Sequence, residues 1–358
     1  MEMKPLIKCK LAYNKSPHLQ QLYAGFVRLQ ALGIIELHIG TQAPDSRLSH
    51  LPILYVTVND SFRVVYDELD GFNWIPGTIE ENLTFFQTTF KGDYYFKRSF
   101  NRQVVDMAPP GCKVLPLGLN YHIRPEHSLA RMSIKDNLQA MVRGNDFASK
   151  ILRLKNEEMA LPAEDYEYFP LPSKDIRILC LTRVWNPDDF DNDRTKENIE
   201  TINNSRISAI KACQKEFGKI FCGGLSDDQF ARKHAKSLIA SLSLTNKRSY
   251  LELVKSHAIC IATTGLHGSI GWKFSEYVAA SRAILSEPLV YEAPGGFKKE
   301  QNYLEFTSGD ELIAGINMLF RNSLALLGMM QENYRYYNNY LRPQNLVLNT
   351  LLKVYGEN

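Results

Sequence analysis

The sequence predicts an α/β chain made of two tandem units, each a mostly parallel sheet covered by helices, and three observations predict it. Short β-rich runs alternate with helical patterns along almost the whole chain, the order that lays strands side by side with helices on both faces. A length of 358 residues holds two cores at about 150 residues each. A charged, proline-bearing stretch separates the two series.

The first series opens with the strand PLIKCKLAYN, a helical spacing from Pro17 to Leu32 and the strand IIELHIG, a β-α-β start. LPILYVTVND and FRVVYDELDG read as two further strands, followed by a helix around Ile79 to Phe90 and the strand GDYYFKRS. A short helix near Asn101 to Met107 and the strand CKVLPLGLNYHI close it. Between Arg124 and Pro172 the apolar period weakens, and one or two helices lead into the linker LPAEDYEYFPLPSKD. The second series runs IRILCLTRVW, a helix around Ile199 to Phe217, KIFCGG, a helix near Gln229 to Ala240, KRSYLELVKS, and HAICIATT. A helix near Ser269 to Ser281, the strand AILSEPLVY and a helix from Asp310 complete it. Domains are therefore expected at residues 1–172 and 173–322, with 323–358 as C-terminal helices packing across both, broken at Pro343.

Composition excludes several classes. With 44% hydrophobic and 23% charged residues the chain is neither disordered nor a coiled coil. Forty-two Lys+Arg against 39 Asp+Glu give a net charge of +3, too little to make nucleic acid the main partner. The six cysteines are scattered, with no C-x-x-C, which fits core residues in a reducing compartment. No stretch reaches the roughly 18 apolar residues of a membrane span, and no signal-like apolar region opens the chain. The expected location is the cytoplasm or the inner face of the membrane.

In doubly wound sheets, ligands bind beyond the C-terminal ends of the strands. In the first domain that rule nominates Asn14, Lys97, Arg98, Asn120 and His122. Asp67, Glu68 and Asp70 of YDELDG lie at or past a strand end, and are read either as a turn or as including a base. Asp70 and His122 are the catalytic candidates. Lys97 and Arg98 either hold an acidic acceptor or cap a strand.

The most informative segment is Ile261 to Leu289, where a buried strand runs into Thr264, Gly265, Leu266, His267, Gly268 and Ser269 before a helix. Two glycines let backbone approach a ligand closely. With Ser269 as N-cap, the free amides of the first turn and the helix dipole favour a diphosphate. Lys273 and Glu276 lie three apart and share a face, a cation for phosphate and a carboxylate for ribose hydroxyls. The bland reading is a solvated Lys273–Glu276 pair. Arg183 follows the first strand of the second domain, and either meets the diphosphate or pairs with the acidic run Asp188 to Asp193. That run lacks the glycine and terminal glutamate of a calcium loop and reads as solvated.

The helix KFSEYVAASRAILSEPL resembles the donor-site helix of glycosyltransferases with the GT-B fold, and DYYFKRSF and KVLPLGLNY resemble segments of exostosin-type and bacterial surface-polysaccharide transferases. The resemblance implies two Rossmann-like domains with a cleft between them, the donor in the second and the acceptor in the first. It implies a hexosyltransferase-type enzyme that uses a nucleotide-diphosphate sugar of UDP or GDP, without cofactor or metal, and a glycan or lipid-linked acceptor. Glu276 matches the second of a glutamate pair spaced by seven residues, the ribose-binding one, while Gly268 stands where the first would be. Arg183 matches a basic residue on the diphosphate. Thr264, His267, Gly268, Ser269 and Lys273 complete the expected donor site. The alternatives are a nucleotide-sugar epimerase of the same architecture and a catalytically silent sugar-nucleotide-binding subunit. A dinucleotide dehydrogenase is disfavoured because no G-x-G-x-x-G follows the first strand of either domain.

Overall fold

The computed structural model describes residues 7–40, 48–124, 160–171 and 175–356. Two compact units emerge: Met1–Asp165 with Tyr291–Pro294 and Asn338–Asn358, and Tyr166–Val290 with Gly295–Tyr337. The helices expected between Arg124 and the linker lie mostly outside the described residues, as do residues 172–174 of the linker itself.

The first unit carries six strands: β1 Ile7–Ala12, β2 Ile35–Gly40, β3 Ile53–Val58, β4 Phe62–Asp67, β5 Tyr94–Lys97 and β6 Lys113–Pro116, ordered β2-β1-β3-β4-β5-β6. All are parallel except β3, which runs against both its neighbours. The reason is local. Val58 pairs with Phe62, so the connection is far too short for a crossover. Asn59 and Asp60 take the left-handed turn with φ of 53° and 55°, a conformation these two residue types tolerate. β4 is thereby brought back parallel to β1.

Alternation along the strands supplies both faces of this sheet. Tyr66 and Phe96 stack on one face with Phe26 of helix α1 (Gln20–Ala31). Val65 and Tyr95 sit on the other with Trp74, Phe86 and Phe90. Helix α2 (Ile79–Thr89) starts in a capping box between Thr78 and Glu81. Helix α1 is pressed so closely on the C-terminal helix of the chain that a Cβ on Gly25 would lie 2.3 Å from the Pro343 carbonyl.

The second unit has five parallel strands, β7 Ile178–Thr182, β8 Phe221–Leu225, β9 Ile259–Ala262, β10 Ala283–Ser286 and β11 Leu304–Glu305, ordered β11-β10-β9-β7-β8. After β8 the winding reverses and β9 lands on the other side of β7, which creates a topological switch point between β7 and β9. Its helices are α4 (Asp193–Phe217), α5 (Gln229–His234), α6 (Leu242–Thr245), α7 (Lys247–Ser256), α8 (Trp272–Ala279), α9 (Gly309–Arg321) and α10 (Ser323–Tyr336), after α3 (Arg102–Asp106) in the first unit. The C-terminal tail divides: α10 belongs to the second unit and α11 (Pro343–Tyr355) to the first. Among the described residues no single helix is long and apolar enough to cross a membrane.

Candidate functional site

At the switch point of the second unit the strand ends are occupied by charge. Arg206, from the buried face of α4, donates to the Arg183 carbonyl at 2.8 Å, to Thr263 Oγ1 at 3.0 Å and to the Thr264 carbonyl at 3.0 Å. Its guanidinium lies 4.3 Å from the Trp185 ring centroid, with that of Arg183 at 5.3 Å. Asn203 grips Trp185 through both backbone groups, so the loop after β7 is held from below by α4. Burial lowers the Arg206 pKa to about 10, against the opposing pull of Glu287.

The loop after β9 is tied in the same way. The backbone amide and hydroxyl of Thr264 both donate to Glu287 Oε2, at 2.7 and 2.9 Å, and Ser205 donates to the other oxygen. The bend itself needs its glycines: Gly268 has φ of 68°, and a Cβ on Gly265 would meet Ser269 Oγ at 2.7 Å. His267 adopts φ of 59° and is exposed. Ser269 is not the N-cap: its amide and carbonyl close the bend on Leu266 and Gly265, its side chain is buried, and α8 starts three residues later with Gly271 as N-cap and no side-chain cap. Two additional residues in the bend postpone the helix, and they leave its first-turn amides without a side-chain acceptor.

Lys273, on the first turn of α8, donates to the Leu181 carbonyl and lies 4.9 Å from the Tyr250 ring. Desolvation lowers its pKa to about 8, and Glu276 opposes the fall. Glu276 does not form the expected surface pair with Lys273. It is 2% exposed, and its Oε1 accepts from Lys247 of α7 at 2.5 Å. Its second oxygen, Oε2, is buried without a partner. A buried carboxylate oxygen left unmatched costs on the order of 1–3 kcal/mol, and such groups ordinarily have a partner in protein or water. Arg183 has no carboxylate at ion-pair distance among the described residues; Asp188 and Asp189 lie in a turn capped by Asn186.

The first unit gathers a second group, at the parallel ends of β1, β4, β5 and β6. Arg98 donates to Asn120 Oδ1 at 2.9 Å, approaches Glu68 at 3.5 Å and pairs with Asp70. Asn120 in turn donates to Glu68 Oε2 at 2.6 Å. Desolvation raises the Glu68 carboxyl to about 8, although Arg98 pulls it down. His18 and His122 stand within electrostatic reach; burial, then Arg98 and His122, lowers His18 to about 4.

Two residues expected here are used differently. Lys97 is fully enclosed, its ammonium donating to Asp67 at 3.2 Å and to the Leu69 carbonyl at 2.7 Å, while Asp67 also accepts from Trp74 and Tyr95. Asn14 spends its amide on the carbonyls of Leu51 and Ile53, and its Oδ1 on Ser16. Both side chains have their hydrogen bonds filled from inside the unit, because each sits where a strand end must be tied to its neighbour. In place of Lys97 the structure offers Glu68.

Three charged residues of these clusters escaped the sequence pattern, and a fourth, Glu68, is read there with Asp67 and Asp70 as turn or base while Asp70 is the catalytic candidate. Arg206 had a signal, since it shares the face of Ile199, Ile202, Asn203 and Ile210 in α4, and a charge on an apolar face is engaged by something. Glu287 directly follows a buried strand and is reached by the strand-end rule. Glu68 adjoined the chosen Asp70. Lys247 offered nothing in sequence, because its partner Glu276 is 29 residues away.

Compared with known proteins, the sequence matches no family model and no curated protein. Solved structures with some likeness include the C-terminal domain of LpcC, a glycosyl transferase group 1 family protein of Francisella tularensis, at 12% identity and a TM-score of 0.35 over 50% of this chain and 97% of that one. WaaG, a glycosyltransferase involved in lipopolysaccharide biosynthesis, is 12% identical with a TM-score of 0.38 over 75% of this chain and 65% of its own. The pneumococcal O-GlcNAc transferase GtfA, in complex with UDP and GlcNAc, is 12% identical with a TM-score of 0.39 over 93% and 54%. The chain thus spans less than two thirds of the last two. At these scores the likeness assigns nothing further, and the α/β class rests on the two sheets themselves.

Proposed function

We propose that this chain is a glycosyltransferase of the two-domain GT-B type that takes a hexose from a nucleoside diphosphate donor, UDP or GDP, held by the second unit. The acceptor is a glycan or lipid-linked sugar held by the first unit, and the setting is surface-polysaccharide synthesis at the cytoplasmic side of a membrane. The observation that carries the reading is Glu276: one oxygen on Lys247, the other buried and unmatched, one turn along a helix whose uncapped amides follow a glycine bend. A ribose supplies hydroxyl donors for that oxygen, and a diphosphate suits the amides and cations.

In the transfer, the bond from the anomeric carbon to the diphosphate oxygen breaks, a bond from that carbon to an acceptor hydroxyl oxygen forms as the hydroxyl gives up its proton, and charge grows on the departing nucleoside diphosphate. Lys273, Arg183 and the first-turn amides of α8 are preorganised to stabilise it. Side-chain cations do this work in the proposal, so no metal is called upon.

Titration calorimetry with UDP and GDP tests it. One of the two is expected to bind the wild type, and Glu276→Ala is expected to weaken binding roughly 10- to 100-fold, the loss of a hydrogen bond to a charged group. If neither nucleotide binds the wild type, or the variant binds as well, the donor assignment fails. Conversion of the sugar nucleotide in the absence of any acceptor would assign the epimerase instead.

A further inference from the structure

The first unit contains a polar group that its own fold leaves unfinished. Glu68 is 1% exposed; Asn120 occupies its Oε2, and its Oε1 is buried with no hydrogen-bond partner. The surrounding frame is rigid. The Glu68 amide donates to the Pro52 carbonyl, and the loop behind it is pinned where Lys97 and Ser99 donate to the Leu69 carbonyl and Ser99 accepts from the Gly71 amide. Glu68 therefore cannot swing to find a partner at low cost, and none of the described residues supplies one.

The charges around it select that partner. Lys97 is matched by Asp67, and Arg98 by Glu68 and Asp70 together. If Glu68 is ionised the Arg98 group carries one surplus negative charge; if it is protonated the group is neutral. In neither state do Lys97 and Arg98 leave positive charge over for a carboxylate or phosphate. The half-buried Tyr291 stands beside Arg98 and edge-on to Phe72, with ring centroids 6.0 Å apart. An aromatic ring beside the guanidinium that also meets a carboxylate and an amide suits a ring with one apolar face and several hydroxyls.

We propose that Glu68, Arg98 and Asn120 form a recognition site for the hydroxyl groups of an uncharged sugar, with Glu68 Oε1 bonded directly to one of them. As the acceptor side of the transfer this rests on the glycosyltransferase reading, while the hydroxyl chemistry is read from the first unit alone. It sets a neutral acceptor against the acidic one, which is one of the two readings of Lys97 and Arg98.

The test is binding of the full-length protein to a glycan array of neutral and uronate- or sialate-bearing glycans, with calorimetry on the best neutral glycan. Neutral glycans are expected to bind at least tenfold tighter than acidic ones. At pH 9, where the Glu68 carboxyl is ionised, Glu68→Gln, which keeps the shape but turns a donor toward the ligand, is expected to weaken the neutral glycan at least tenfold with UDP and GDP binding unchanged. Preference for acidic glycans, no glycan binding, or equal binding by the variant would each overturn the site. The first two outcomes are read on wild type alone, so they stand even if Glu68→Gln fails to fold. A wild type that binds neutral glycans but neither nucleotide would sink the donor reading and leave this site intact.

Discussion

The two units present the same feature, the C-terminal edge of a parallel sheet, with opposite charge balance. In the second unit Arg183, Arg206, Lys247 and Lys273 gather with only Glu276 and Glu287, a surplus of cations. In the first, Arg98 and Lys97 meet Asp67, Glu68 and Asp70, and the surplus is gone. The geometry of a strand end only creates a polar concavity; the balance of charge within it decides between a phosphate and a neutral hydroxyl ligand. Lysines show the same contrast. Lys97 is sealed against Asp67 and serves as framework, while Lys273 is held by a backbone carbonyl without a matching ion pair.

That contrast is most exposed to test at Lys97. Lys97→Met leaves Asp67 buried without its counter-ion and is expected to cost roughly 3–5 kcal/mol, read by chemical denaturation through the fluorescence of Trp74, whose indole also donates to Asp67. Nucleotide binding by the second unit is expected to persist; a neutral effect on stability would remove the framework assignment.

The next effect is a pH dependence confined to the first unit. Glu68 is raised from 4.5 to about 8 in the fold, so the native state holds a proton that the unfolded chain releases above pH 4.5. This group's contribution is complete below that pH and is lost as pH climbs toward 8, an effect on the order of a few kcal/mol. Denaturation midpoints between pH 5 and 9 should fall for wild type, and the slope should flatten in Glu68→Gln; equal slopes would contradict it.

Lys273→Met sharpens the comparison from the other side. It removes a partly buried charge with no ion pair, so stability is expected to hold or rise while UDP or GDP affinity drops about tenfold, or roughly 1.4 kcal/mol. A stability loss like that of Lys97→Met would erase the distinction between the two lysines. The smallest effect is expected from chelation: with four cations at the strand ends, nucleotide affinity measured with and without EDTA should agree within error, and a clear loss would bring a metal into the site.

Much of the fold was legible because it depends on periodicity and turn chemistry. The strand of IRILCLTRVW and the helix around Ile199 to Phe217 were readable from apolar spacing and appear as Ile178–Thr182 and Asp193–Phe217. The antiparallel β3 was less visible, although the Asn59–Asp60 turn between two alternating runs was its signal. At the site, the glycine bend and Lys273 with Glu276 could be located. Their partners could not: Glu276 meets Lys247, and Thr264 meets Glu287, through contacts across 29 and 23 residues.

From its sequence this chain determined which residues become strands, helices and bends, since those follow from side-chain spacing, capping and the left-handed freedom of glycine and asparagine within a few neighbours. It also placed polar residues at the strand ends. Only the tertiary structure decided which of those charges are spent on each other and which are left over, enclosing Lys97 and Asn14 while leaving one oxygen each of Glu276 and Glu68 unmatched. The reason is that desolvation and pairing depend on distances between residues far apart in the chain, which local pattern does not encode.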